Sequence, residues 1–539
     1  MAIARAALLT TALAALALIL VSGGSDADPR TPPALPGLPP PFLGTTVTGD
    51  GGLTAAVDAY GDMVDLRPGP AGPALIDNPS ARQAAGTVPA ATGIVPRLRF
   101  GDGPVLPLWR ADAVRQRYLA GTNVVRTAAR FGPAWLVLRT AASGGALAMV
   151  ARVRSPAGLR AAASVGVNVA GGARCREQGS AGRGMDAPLE LLCWVGMRPE
   201  GSAAALLARA GAADRRWVAR ARPLGPGAPA WARAMYERSL LVLRALTDAR
   251  TGAVAAGARD GWAYVWPRDA ATAALAYAAA GYRGEARRVA GFLAGLGTRA
   301  TEAARFDDRG MPVPGRGPQG DAAGWIAAAA NAAATAGPSA SSHSARPANR
   351  SALDFVGAMA TQKSNARDLP DYQEGSPGAY LGNAIASGEP AASIAAEFET
   401  RRGLVRVAGD PSSGLDSAAA WAVRPFSSPA LYPAARRTLL RLASHATAFG
   451  ITPGEAWSGG SDPWTAPTAW SAWSLAALGD RAAALTLLAD LHRAATPAGA
   501  LPERVGARTG IPRSTTPLAW SHAFAILALR QLWPGRWRP

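Results

Sequence analysis

The sequence predicts a multidomain β + all-α chain in which an antiparallel β-sandwich is followed by a helical domain. Three observations predict it. Up to about residue 222, short apolar runs are broken by Gly, Pro, Asn and Asp, the texture of many short strands joined by turns. From about Pro229 the period changes: Tyr236, Leu240 and Leu243 recur at i, i+4 and i+7, one face of a helix. Hydrophobic residues make up 49% and charged residues 17% of the 539 residues, enough apolar side chain to bury large cores.

Residues 1–27 read as a signal peptide or an N-terminal anchor. Arg5 precedes an apolar run from Ala6 to Val21 that ends in Ser22, Gly23 and Gly24, a secretory pattern. The run is shorter than the ~20 apolar residues of a spanning helix. No cysteine follows it, which argues against a lipoprotein. Residues 28–41 are a Pro-rich linker. Residues 42–225 form the predicted sandwich, with strands over Leu53–Tyr60, Ala134–Thr140, Ala146–Val153 and Ala162–Val169. It holds both cysteines, Cys175 and Cys193. They form one disulfide in an oxidising compartment or remain two thiols. Residues 230–536 form the helical domain, about a dozen segments. Ala270–Ala280, Glu285–Leu296, Pro429–Thr447, Trp470–Leu478, Arg481–His492 and Pro517–Leu532 are the clearest. A bundle, a solenoid and a closed ring all fit this periodicity.

The formal net charge is +19, almost all from arginine, with Lys363 the single lysine. Such a preference for Arg fits a bias in coding composition. The arginines are scattered along the chain, which argues against nucleic acid. The charge itself would attract anionic envelope polymers. His343, His445, His492 and His522 are far apart and none stands at ligand spacing with Cys or a carboxylate, which argues against a His- or Cys-ligated metal site. No cofactor is required by the sequence, and calcium stays open at loop carboxylates such as Asp307 and Asp308. There is no G-x-S-x-G elbow. Gly315–Gly320 matches G-x-G-x-x-G formally, but it follows Pro312 and Pro314 rather than a strand.

What remains is four clusters of carboxylates beside aromatics. A sugar site needs carboxylates and Arg for hydroxyls and aromatic platforms for apolar ring faces. Glycosidic hydrolysis needs one protonated and one ionised carboxyl. The first cluster runs from Asp260 through Trp262, Tyr264 and Trp266 to Arg268 and Asp269 at a helix mouth. An extended segment would put the three aromatics on one side. Equally, Asp269 would complement a helix N-terminus and the aromatics would be core. The second is Asp371-Tyr372-Gln373-Glu374, otherwise a solvated loop. The third holds Glu455, Trp457, Asp462 and Trp464, otherwise a Gly-rich turn. The fourth joins Leu501-Pro502-Glu503-Arg504 to Trp520-Ser521-His522, where a lone histidine is more often core than catalyst.

In this order the clusters resemble glycoside hydrolase family 15, the glucoamylase-like enzymes. The resemblance covers about Ala230 to Trp533, and the Trp-Pro-Arg-Asp and Leu-Pro-Glu elements carry most of it. It implies an (α/α)6 barrel behind the β-sandwich of prokaryotic members. It further implies an inverting exo-acting α-glycosidase releasing glucose from α-glucans, oligosaccharides or a disaccharide such as trehalose. Glu374 would be the general acid and Glu503 the general base. Arg268 and Asp269 would bind hydroxyls of the terminal sugar, with Trp262, Tyr264 and Trp266 lining the pocket. Glu455, Trp457 and Trp464 match a loop bordering the site, and Trp520 and His522 would support the base. Three places depart from the family: Gln373 stands where Trp usually precedes the acid, Arg504 where Gln usually follows the base, and Ile451-Thr452 where some relatives have an Arg that grips the substrate. A catalytically inactive glycan-binding protein of the same fold is the alternative. The expected protein is a secreted or membrane-attached monomer that binds carbohydrate and no nucleic acid.

Overall fold

The computed structural model describes residues 45–78, 93–170, 172–179, 188–335 and 380–535. The signal or anchor, the Pro-rich linker, and Gln373 and Glu374 lie outside the described residues.

Two antiparallel sheets make up the N-terminal part. The first runs Thr45–Gly49, Leu53–Asp58, Met63–Pro68, Gly93–Phe100 and Ala161–Asn168, with short strands pairing at Met63–Pro68 and Gly93–Phe100. The second runs Ala173–Gln178, Leu189–Val195, Ala146–Arg154, Ala134–Ser143, Val125–Phe131 and Ala113–Tyr118. Leu53, Val57, Met63 and Leu98 of the first sheet share one core with Leu136, Leu138, Leu147 and Leu191 of the second. The period-2 alternation therefore buries one face of each sheet against the other. Cys175 and Cys193 stand opposite each other on adjacent strands and form a disulfide.

Helix α1 (Ala203–Val218) packs on the outer face of the second sheet through Ala203, Leu206, Leu207 and Ala210. A strand-rich reading of 42–225 leaves this helix out, because its alanines suit either state. The helical part follows as α2 (Ala230–Leu246), α3 (Pro267–Ala280), α4 (Arg283–Gly295), α5 (Arg299–Glu302), α6 (Ala322–Thr335), α7 (Leu381–Ala386), α8 (Ala391–Phe398), α9 (Tyr432–Ser444), α10 (Thr465–Ala477), α11 (Arg481–Ala494) and α12 (Ala519–Leu532). A small hairpin, Val405–Val407 with Asp410–Leu415, interrupts them. Nearly every residue of α3, α7, α10 and α12 is buried, as is the whole 3-10 segment Ser417–Ala422. By contrast α4, α8, α9 and α11 bury one stripe each. Helices that are apolar all round lie inside, and amphipathic ones cover them.

Helix α2 joins the two parts. Thr54 Oγ1 donates to the Ala245 carbonyl at 2.9 Å, and Asn123 Nδ2 donates to the Leu241 carbonyl at 2.9 Å. Arg238 donates to Asn123 Oδ1 at 2.9 Å and to the Thr122 carbonyl at 2.7 Å, with its guanidinium 3.5 Å from the centre of the Tyr118 ring. Arg259 reaches back to the Asn78 carbonyl at 2.7 Å. No helix among the described residues is long and apolar enough to cross a membrane.

Candidate active site

The N-terminal ends of α3, α10 and α12 open onto one cavity of about 510 Å³, within the ~300–1,000 Å³ typical of small-ligand pockets. Five tryptophans line it: Trp262, Trp266, Trp457, Trp464 and Trp520. Arg268, Asp269, Arg316, Gln319, Glu503, Arg504 and Ser514 supply its polar wall. Helix N-termini carry partial positive charge, so this end favours carboxylates and electron-rich hydroxyls.

Local sequence explains the placement. Pro267 fits the first helical turn, where no intrahelical N–H partner is needed, and Gly281 at φ 92° closes α3. Arg268 and Asp269 therefore sit in the opening turn of α3. Both are 4% exposed. The Arg268 guanidinium pairs with Asp321 and lies 4.5 Å from the centre of the Trp520 ring. Burial raises the Asp269 carboxyl to about 7, opposed by Arg268 and reinforced by the nearby charges of Glu503 and Asp321.

Glu503 is held by its own backbone and by two side-chain donors. Its N–H donates to the Thr515 carbonyl at 2.9 Å, and its carbonyl accepts from the Thr465 N–H at 3.0 Å. Ser514 Oγ donates to Oε2, and Trp262 Nε1 donates to Oε1 at 3.3 Å. Burial pushes the carboxyl above its ordinary range, while Ser514, Trp262, Arg504 and Arg316 pull it down. The loop is fixed from behind as well. His522 Nε2 accepts from the Leu501 N–H at 3.0 Å, its Nδ1 meets Ser239 Oγ at 2.9 Å, and Thr465 Oγ1 bonds the Pro502 carbonyl.

The cavity thus brings together eight of the residues singled out in the sequence: Trp262, Trp266, Arg268, Asp269, Trp457, Trp464, Glu503 and Trp520. Three others stand elsewhere. Asp260–Trp262 forms a 3-10 turn rather than extended chain, so the expected common face for the three aromatics is not formed. Tyr264 is not in the lining and packs beneath Arg305, whose guanidinium lies 5.0 Å from the centre of its ring. Glu455 ties loops together, accepting from Arg402 at 2.6 Å and from the Leu415 N–H at 3.3 Å. His522 is fully buried behind the Glu503 loop. Glu374 lies outside the described residues. Arg316, Gln319 and Ser514 line the cavity without standing out in the sequence. The signal for the first two was the Gly/Pro-rich loop ahead of α6, which fails as a dinucleotide motif yet borders the site. Ser514 was marked only by a polar run before Pro517.

Chemically the cavity offers an oriented carboxylate, a second buried carboxyl, three guanidiniums and five indoles. That set fits a neutral, polyhydroxylated ligand with apolar ring faces. Among the described residues no three metal-ligating side chains converge.

Among solved structures, the chain is similar to a bacterial glucoamylase complexed with acarbose, at 13% identity over 95% of this chain and 96% of that one, with a TM-score of 0.66. It is also similar to a wild-type glycosidase at 21% identity over 56% of this chain and 97% of that one, with a TM-score of 0.47. For a glucoamylase from Saccharomycopsis fibuligera the values are 15%, 56%, 94% and 0.45. No family model matches the chain, and no curated protein matches its sequence. The first likeness spans both parts of the chain and shows a glucoamylase-like fold.

Proposed function

We propose that the chain is an exported, inverting, exo-acting α-glycoside hydrolase, with the helical part an (α/α)6 toroid. The substrate is an α-glucan, an oligosaccharide or an α-linked disaccharide such as trehalose. One observation carries the reading: Glu503 is gripped by Ser514 and Trp262 inside a five-tryptophan cavity that also holds Arg268 and Asp269.

Each residue then has a task. Arg268 and Asp269 bind hydroxyls of the terminal glucose, and the indoles stack on its apolar face. Ionised Glu503 takes a proton from a water that attacks the anomeric carbon. Protonated Glu374 gives its proton to the departing glycosidic oxygen. Inversion requires those two carboxyls to stand about 6.5–9.5 Å apart, with the water between. Trp520 and His522 keep the base in place. The protein acts as a monomer outside the cytoplasm, free or held at the outer membrane face by residues 1–27.

The test is hydrolysis of a panel of α-linked glucosides, with the anomer released followed by NMR. β-Glucose should appear first. Glu503→Gln and Glu374→Gln should each lower kcat by roughly 10²–10⁴-fold, the usual worth of a general acid or base. Undiminished turnover in Glu503→Gln would sink the assignment. Arg504 lines the cavity with Glu503, and a guanidinium standing in the place of the attacking water would leave the inactive glycan-binding reading. That reading is the outcome if calorimetry shows maltooligosaccharide binding to the unmodified protein with no turnover of any member of the panel.

A further inference from the structure

Arginines far apart in the chain meet on the outer face of the second sheet. Arg117, Arg126 and Arg139 are direct cross-strand partners on three neighbouring strands. Two residues further along each strand, the row from Ala128 through Val137 ends at Arg152. The next row runs Arg130, Trp135, Arg154. Alternation fixes the face, because Val125, Leu136, Leu138, Leu147 and Met149 fill the core between the sheets, so residues of the other parity point outward. Where α1 borders this face, a groove of about 250 Å³ is lined by Arg126, Arg139, Arg152, Arg154 and Arg215.

Like charges directly opposite each other destabilise a sheet, and here three stand in line. Arg126 is held below its ordinary range by burial and by Arg117, Arg139 and Arg154. Among the described residues no carboxylate pairs with Arg117, Arg126, Arg139, Arg152 or Arg154. Glu190, two strands from Arg139 in the same row, accepts the Ala203 N–H at 2.9 Å instead. Strands lie ~4.8 Å apart and same-face residues ~6.7 Å apart, so the backbones of Arg117, Arg126 and Arg139 stand one strand spacing apart, while Arg130 and Arg154 lie two same-face steps, ~13 Å, along the strands from that row.

We propose that this face is a binding site for a linear anionic polysaccharide, with acidic oxyanions on the arginine rows and a pyranose ring on Trp135. The planar guanidinium fork matches carboxylate and similar oxyanions bidentately. Trp135 stands between Arg130 and Arg154, so one stacked sugar would place its substituents beside two cations. A single aromatic among these arginines suits a chain recognised through its charges. A single-stranded nucleic acid would need a platform for each successive base. The site does not depend on the hydrolase reading, since it belongs to the sandwich and shares no residue with the cavity.

The experiment is fluorescence anisotropy of the full chain with a labelled oligogalacturonate. Saturable binding should weaken steadily with added salt. The combined substitution Arg117→Gln, Arg126→Gln, Arg139→Gln should weaken it at least about tenfold, since it removes three guanidinium forks and charge-assisted hydrogen bonds are roughly twice as strong as neutral ones. Glu503→Gln should leave it unchanged, and a neutral maltooligosaccharide of equal length should not compete. The triple variant should melt no lower than the parent, because it removes opposed like charges, and this separates lost binding from lost folding. If the triple variant fails to fold, Arg154→Gln at the exposed end of its strand should still weaken binding. The proposal is overturned if the arginine variants bind as tightly as the parent, or if an oligonucleotide of equal charge binds more tightly than the oligogalacturonate.

Discussion

His522 is neutral for a geometric reason. Its Nε2 accepts the Leu501 N–H, so that nitrogen carries no proton, and Nδ1–H donates to Ser239 Oγ. Burial, then Arg238, brings the imidazole down to about 3. Its stabilising effect is complete above the unfolded-state value near 6.5 and is lost as pH falls towards 3. His522→Phe should leave the Leu501 N–H unpaired, at a cost of about 1–3 kcal/mol, read as a lower thermal midpoint. The His522 imidazole signal, assigned by its loss in His522→Phe, should not titrate between about pH 5 and 8. Asp269 has the opposite sign. Its folded value of about 7 lies above the ordinary 3.8, so its contribution is complete below about pH 4 and is lost as pH rises through 7. Asp269→Asn should therefore flatten the fall in midpoint over that range, and parallel curves for the two proteins would contradict this. Residues of this kind were legible where an aromatic or an Arg-Asp pair stood beside a helix start. Ser514 and Gln319 were not, because a lone polar side chain acquires meaning only from the carboxylate or cavity that the fold brings to it.

At the level of elements, close approach decides more than propensity. A Cβ added to Gly324 in α6 would stand 1.8 Å from the Ala386 carbonyl oxygen at the end of α7. Backbone cannot yield as a flexible side chain does, so Gly324→Ala should destabilise by about 1–3 kcal/mol or more. Gly291 in α4 is exposed and has nothing within 4 Å of such a Cβ, so Gly291→Ala should stabilise by about 1 kcal/mol through helix propensity alone. Thermal or denaturant unfolding of the two variants should give opposite signs, and a shared sign would refute the argument. Elements themselves were legible where the period was clean: the helix read over Arg481–His492 is α11, and the strand read over Ala134–Thr140 extends to Ser143. Alanine-rich α1 and the Gly/Ser-rich hairpin at Val405–Leu415 were not. Their residues carry little strand or helix preference, and packing on a sheet face or between helices settles them. Tyr264 is a further case, since the tight turn at Asp260–Trp262 breaks the alternation that an extended chain would keep.

Over the whole molecule, composition states the charge but not where it gathers. The net charge of +19 is read directly from the sequence, while the arginine rows exist only once Arg117, Arg126 and Arg139 are brought into register. An excess of one sign strains a compact state through self-repulsion, and salt relieves that strain. From about 0.01 M to about 0.15 M ionic strength the screening length falls from ~30 Å to ~8 Å. Repulsion between exposed arginines on the sheet should then fade. The buried pairs Arg67–Asp65, Arg268–Asp321 and Arg406–Asp416 are shielded from solvent and should barely change. Exposed pairs such as Arg436–Asp480 and Arg437–Glu399 would weaken, but each is worth only about 0–1 kcal/mol. The relief should win, so the thermal midpoint should rise with sodium chloride over this range. The rise should be smaller in the Arg117→Gln, Arg126→Gln, Arg139→Gln variant, which has already shed part of the repulsion. A midpoint that fell with salt would mean that the exposed pairs outweigh the arginine field, and the strain ascribed to that face would be absent.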